Sequence, residues 1–188
     1  MESLLTACRA IHPLSPELEA ELRRLVRPEI VPAHTNLLAP GSVAQRLYFL
    51  ETGLLRSYYL KEGREVTSWF MPEGNFVVSI LSFFSRQPSH EYLNALEDCR
   101  LWSLSHAQVQ ALYQQFPVFN FIGRVLTERY YVLSEQRALH LRMLPAAERY
   151  ERLLQDFSDI LQRVPLKLLA SHLGLTAETL SRLRARRS

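Results

Sequence analysis

Cysteine is nearly absent: Cys8 and Cys99 are the only two in 188 residues, and they stand 91 positions apart. They form no Cys-x-x-Cys pair, build no disulfide framework and fall short of the four thiolates an iron–sulfur cluster needs. Glycine is scarce too, at six residues, and none lies in a Gly-rich phosphate loop or a Gly-x-Ser-x-Gly elbow. No apolar run approaches the ~20 residues of a membrane span; residues 76–84 form a run of only nine, broken by two serines. No signal-like segment opens the chain, so the expected location is cytoplasmic, with no membrane partner. The six histidines, at 12, 34, 90, 106, 140 and 172, are scattered without a His-x-His pair, and no metal site is expected. No paired catalytic carboxylates stand out, which argues against an enzyme.

What is present is the composition of a folded chain, 47% hydrophobic and 22% charged. Its charge is uneven. Residues 164–188 hold five basic residues (Lys167, Arg182, Arg184, Arg186, Arg187) against one acid, Glu178, while the rest has 17 basic and 18 acidic residues. A near-neutral body with a basic end suits a polyanion partner, and equally a solvated arginine tail.

Ser15-Pro16 caps a short amphipathic helix carrying Leu18, Leu22, Leu25 and Val26. From Glu29 to Leu104, short apolar runs alternate with turn residues, predicting strands at 30–33, 36–38, 47–51, 54–60, 66–70, 92–96 and 101–104. Seven short strands at about ten-residue spacing favour a sandwich or small barrel. The period then turns helical. Ser105 caps a helix to about Gln115, Pro117 marks a break, and residues 118–144, free of proline, predict a long helix of about 40 Å. Its apolar face (Phe121, Ile122, Val125, Leu126, Val132, Leu133, Leu139, Met143) outreaches a small barrel, so a two-fold mate is expected. Pro145 starts a further helix from Ala146 to about Phe157, with Tyr150, Leu153, Leu154 and Phe157 inward.

The segment LKLLASHLGLTAETLSRLR, residues 166–184, meets the demands of two short helices crossed near a right angle. Leu169 and Leu173 share a face, Ala170 is the small contact, Gly174 makes the turn, Leu175 plugs it, Thr176 caps the second helix, and Leu180 and Leu183 point inward. The outer face of the second helix then offers Ala177, Glu178, Ser181, Arg182 and Ala185 to a DNA major groove. Arg182 suits a guanine edge and Glu178 a cytosine amine, and their i, i+4 spacing allows an ion pair that orients the guanidinium. Ser171, Thr176 and Thr179 suit phosphate oxygens, with Lys167, Arg184, Arg186 and Arg187 as positioning charges.

The order of parts resembles the Crp/Fnr superfamily of bacterial transcription regulators over nearly the whole chain. The stretches that carry the resemblance are LYFLETGLLRSYYL (47–60), LNALEDCRLWSL (93–104), AAERYERLL (146–154) and the 166–184 segment. The resemblance implies an α+β fold: a jelly-roll, cyclic-nucleotide-binding-like β-roll with flanking helices (1–116), a long dimerisation helix (117–144) and a C-terminal all-α helix-turn-helix (145–188). It implies a homodimer on palindromic double-stranded DNA, with RNA polymerase as a possible partner. By the same similarity, Glu178 and Arg182 match the recognition-helix Glu-Thr-(Val/Leu)-x-Arg pattern, and Ala177 stands where cyclic-AMP-responsive members add an arginine, implying a different base preference. With four residues after Arg184, a full wing hairpin is not expected.

The family's nucleotide cassette is missing at its anchors. Aligned from Gly74-Asn75-Phe76, its Gly-Glu pair becomes Val78-Ser79 and its Arg-Ser-Ala becomes Ser89-His90-Glu91. A cyclic phosphate loses its bidentate arginine and meets a carboxylate instead, so no cyclic-AMP response of the usual kind is expected. Arg56, Trp69, Ser79, Arg86, Ser89, His90 and Tyr92 could line a pocket for another effector; alternatively Phe76, Phe83, Phe84 and Trp69 fill the space. The rival to a DNA-binding regulator is a ligand-sensing or protein-interaction module with little DNA affinity.

Overall fold

Among the described residues, eight short strands in two four-stranded sheets run from Arg27 to Ser105, behind two leading helices and with one short helix between them, and helices follow. The computed structural model describes residues 1–156 and 158–185; Phe157, Arg186 and Arg187, to which the sequence assigns roles, lie outside the described residues. The elements are α1 (Glu2–Arg9), α2 (Pro16–Leu25), β1 (Arg27–Val31), β2 (Asn36–Leu38), β3 (Arg46–Thr52), β4 (Leu55–Lys61), β5 (Arg64–Met71), β6 (Phe76–Val77) and α3 (Ile80–Ser85). There follow β7 (Tyr92–Ala95), β8 (Cys99–Ser105), α4 (His106–Gln115), α5 (Pro117–Met143), α6 (Ala146–Asp156), a 3-10 turn (Ser158–Ile160), α7 (Leu166–His172) and α8 (Ala177–Ala185). This is the expected α+β, jelly-roll-like class with a long helix and a helical C-terminal part. Among the described residues no helix is long and apolar enough to cross a membrane.

The sheets run β1-β8-β3-β6 and β2-β7-β4-β5. β8 is central, pairing Arg27↔Ser103 through Val31↔Cys99 on one side and Arg46↔Ser105 through Thr52↔Arg100 on the other, with a register shift at Leu50/Thr52. Phe49, Leu50, Leu101, Phe83 and Leu112 are buried in one core with Leu5, Leu18 and Leu22 of the leading helices and Ile122 of α5. α4 starts on a full capping box: the Ser105 hydroxyl accepts from the Gln108 backbone N–H while the Gln108 carboxamide accepts from the Ser105 N–H.

Gly53, in the turn between β3 and β4, sits at φ +100°, and an added Cβ would lie 2.6 Å from the Asp98 carbonyl oxygen and 2.7 Å from the Cys99 sulfur. Both neighbours are in or beside β8 and have little freedom to retreat. Gly53→Ala is therefore expected to cost about 1 to 3 kcal/mol, read as a lowered melting temperature.

The chain divides into two compact units: residues 1–57 with 70–129, and residues 58–69 with 130 onward. The outer half of the β4–β5 hairpin thus belongs to the helical unit. Buried there are Tyr150 and Leu153 of α6, Ile160, Val164, Leu169 and Ala170 of α7, Leu173, and Leu180 of α8. α5 leaves Phe121, Tyr131, Val132, Leu133, Leu139 and Met143 exposed.

Candidate nucleic-acid interface

Helix α7 ends in a full Schellman motif. Gly174 takes φ +66°, its N–H donates to the Ser171 carbonyl at 3.1 Å, and the Leu175 N–H donates to the Ala170 carbonyl at 2.8 Å. A side chain at that φ is disfavoured, which is why glycine occupies the turn. The chain then enters α8 on a threonine cap: the Thr176 hydroxyl accepts from the Thr179 N–H at 3.2 Å. Leu169, Ala170, Leu173 and Leu180 are buried, fixing the inner faces of the pair.

The outer face of α8 exposes Glu178, Ser181, Arg182, Arg184 and Ala185, with Ala177 half-buried. Lys167 and Thr176 are exposed and Thr179 is half-buried. The Glu178–Arg182 ion pair that the spacing allows does not form. The α8 N-terminal backbone, first at Glu178 itself, and then the Thr176 hydroxyl hold the Glu178 carboxyl below its ordinary range. Arg182 instead points its Nη2 to the Thr179 hydroxyl at 3.4 Å. The physical reason is competition: the backbone N–H of Glu178 itself and the nearby Thr176 hydroxyl hold the carboxylate against a solvent-screened pairing of two mobile side chains.

Ser171 is differently engaged from a free phosphate ligand. Its hydroxyl donates to the Glu65 carbonyl at 2.8 Å and accepts from the Thr67 N–H at 2.9 Å, tying α7 to β5. Beside it, Arg137 of α5 donates to the Thr67 carbonyl (3.2 Å), the His172 carbonyl (2.9 Å) and His172 Nε2 (3.2 Å), and lies 5.7 Å over the Trp69 ring. Because a guanidinium only donates, His172 Nε2 must accept, which places the ring proton on Nδ1. Burial, then the Arg137 charge, pushes His172 down to about 3. The sequence carried no sign of this cluster, since Arg137, Trp69 and His172 have no shared motif.

Of the residues expected to line a β-roll pocket, Trp69 belongs to the helical unit, while Arg56, Ser79, Arg86, Ser89, His90 and Tyr92 lie in the other. A cavity of about 450 Å³ is bounded by β2, residues 42–46, Tyr48, Ser79 and Leu93, so Ser79 is the one expected residue on its wall. Ser79 donates to the Glu91 carboxylate at 2.6 Å, and the Ser89 hydroxyl closes a turn on the Glu91 backbone. Arg86, at φ +58°, donates to the carbonyls of Ala44 and Phe83 and to the Gln45 side chain. Arg56 is buried, His90 exposed and Tyr92 half-buried. Phe83 fills core space, Phe76 packs edge-on to Phe49 at 5.1 Å, and Phe84 is exposed. Among the described residues no His, Cys, Asp and Glu cluster could hold a metal ion.

Residues 28–116 match the cyclic nucleotide-binding domain family. No curated protein sequence matches the chain significantly. Among solved structures, the c-di-GMP-responsive global regulator CLP of Xanthomonas campestris superposes with TM-score 0.72 at 21% identity, covering 92% of this chain and 91% of that one. FixK2 of Bradyrhizobium japonicum gives 0.72 at 20% identity, covering 86% and 84%. A Crp/Fnr-family regulator of Eubacterium rectale gives 0.71 at 17%, covering 92% and 83%. Residues 28–116 are thus similar to the cyclic nucleotide-binding domain family, and the chain as a whole has the fold of the Crp/Fnr transcription regulators.

Proposed function

We propose that the protein is a sequence-specific DNA-binding transcription regulator that acts as a homodimer in the cytoplasm and is not an enzyme. One observation carries the reading: the Schellman turn and threonine cap hold α8 with Leu180 inward and Glu178, Ser181 and Arg182 exposed, as a major-groove reading helix requires. Arg182 addresses a guanine edge and Glu178 a cytosine amine. Lys167, Thr176, Thr179 and Arg184 supply backbone contacts, with Arg186 and Arg187 at the same basic end. Ser171 joins them only after leaving β5.

Dimerisation runs through α5. Phe121, Val125, Val132, Leu139 and Met143 recur at spacings of four and seven, as in a coiled-coil seam, and all but Val125 are exposed. Two copies related by a two-fold axis would set their reading helices about 34 Å apart, one turn of B-DNA. RNA polymerase is a further partner in this reading.

The β-roll does not fit a cyclic phosphate. Ser79 is bonded to the Glu91 carboxylate, a like charge to the phosphate, and Arg86 spends its donors on Ala44, Phe83 and Gln45. The β-roll therefore senses something else or serves as a scaffold.

Selection of bound sites from a random duplex pool tests the reading, and a two-fold symmetric motif is the expected product. Arg182→Ala should then cost about 1 to 3 kcal/mol on the selected site and flatten preference at one base pair. Affinity for random duplex that does not rise as salt is lowered would favour the sensing or protein-interaction module instead.

A further inference from the structure

Within the helical unit lies a cavity of about 410 Å³, a volume typical of small-molecule sites. Its apolar walls are Trp69, Leu133, Leu141, Leu153 and Leu173. Its polar lining holds three arginines, Arg137, Arg149 and Arg152, with Gln136, His140 and the neutral His172. No lining residue carries a carboxylate, and among the described residues no Asp or Glu forms an ion pair with any of the three arginines.

The three guanidiniums are not equivalent. Arg137 is committed to backbone carbonyls and His172. Arg152 is exposed. Arg149 reaches only the Leu141 carbonyl, at a long 3.4 Å, and its Nε is buried with no acceptor. A buried charged donor without a partner is rare in folded proteins, because it forfeits hydration and gains nothing in return. Uncompensated positive charge beside apolar walls, where the dielectric is low, attracts an anion more strongly than the same charge in water. Arg149 and Arg152 are i and i+3 on α6, so they stand on one face of the helix and can address the two oxygens of one planar anion. The walls suit an apolar body on that anion, with Trp69 offering a ring face.

We propose that this cavity binds a small organic monoanion of the aromatic-carboxylate class, its carboxylate on Arg149 and Arg152 and its apolar body against Trp69 and the leucines. Such a ligand touches α5, α6 and the end of α7 together, and so bears on the element that carries the reading helix. The site does not depend on the DNA-binding reading.

The sequence has two tryptophans, so Trp102→Phe leaves Trp69 as the sole indole, on the cavity wall. Benzoate titrated into that protein without DNA is expected to change Trp69 emission saturably, with its neutral isostere benzamide at least tenfold weaker. Arg152→Met, at an exposed position that leaves folding intact by far-UV circular dichroism, should weaken benzoate about tenfold, the worth of one charge-assisted contact. Arg149→Met should do the same or more. Equal response to benzoate and benzamide, no response to benzoate at millimolar concentration, or benzoate affinity unchanged in Arg152→Met overturns the proposal.

Discussion

Replacing Arg137 with methionine is expected to destabilise the helical unit by about 3 kcal/mol. The substitution keeps most of the stem's volume and removes every donor. It leaves the Thr67 and His172 carbonyls and His172 Nε2 without the guanidinium that now serves all three, and each buried acceptor stripped of its partner costs about 1 to 3 kcal/mol before relaxation. The stacking over Trp69 goes as well. Burial lowers Arg137 only to about 10, so the residue is cationic at neutral pH and its bonds are charge-assisted. The measurement is urea unfolding of paired single-tryptophan proteins, because Trp69 reports on the helical unit and Trp102 on the other. The Trp69 transition should move to lower urea while that of Trp102 holds its place. A Trp69 midpoint shifted by less than the equivalent of about 1 kcal/mol would show that the cluster contributes little.

The same cluster makes stability depend on pH. His172 is pushed from 6.5 to about 3 in the folded chain, by burial first and by the Arg137 charge second. Below pH 6.5 the unfolded chain takes up a proton that the folded one refuses, so stability is full above that value and falls as pH drops toward 3. The slope over that window approaches 1.36 kcal/mol per pH unit, so going from pH 7 to pH 5 should remove about 2 kcal/mol. Of the basic groups on the cavity wall, Arg137, His140, Arg149 and Arg152, it is the adjacent Arg137 guanidinium that opposes the added charge. His172→Gln retains an acceptor for Arg137 and has nothing to titrate. Its Trp69-reported stability should lose that component, and an equal pH dependence in the two proteins would refute the assignment.

The helix-turn-helix was legible because its turn chemistry is local. Gly174, Thr176 and the leucine spacing each answer to one backbone requirement, and the structure meets them bond for bond. The long helix was legible for the same reason, with proline at its start and none within. Four elements were not anticipated, among them the 3-10 turn Ser158–Ile160. α1 lacks a side-chain cap, α3 hides inside the apolar run at 76–84, and β6 is two residues long. The Glu178–Arg182 pairing failed because spacing says which groups are near and nothing about what else competes for them. The basic cavity did leave a trace, with Leu133, Arg137 and Leu141 on one stripe of α5 and Arg149, Arg152 and Leu153 on one stripe of α6. Read for apolar residues alone, the α5 stripe passed as part of the dimer face and the α6 stripe as core. What no pattern in the chain announces is that residues 58–69 pack with the helices.

That placement bears on solubility. β5 is the last strand of its sheet, and the outward backbone groups of such a strand invite a strand from another molecule. Residues 65 and 67 turn the same way, and Ser171 offers them one donor and one acceptor, as a neighbouring strand would. A single hydroxyl thus acts as a stopper on a growing ladder. Loosening α7 from that edge, by mutation or by engagement elsewhere, would uncover a template for self-association.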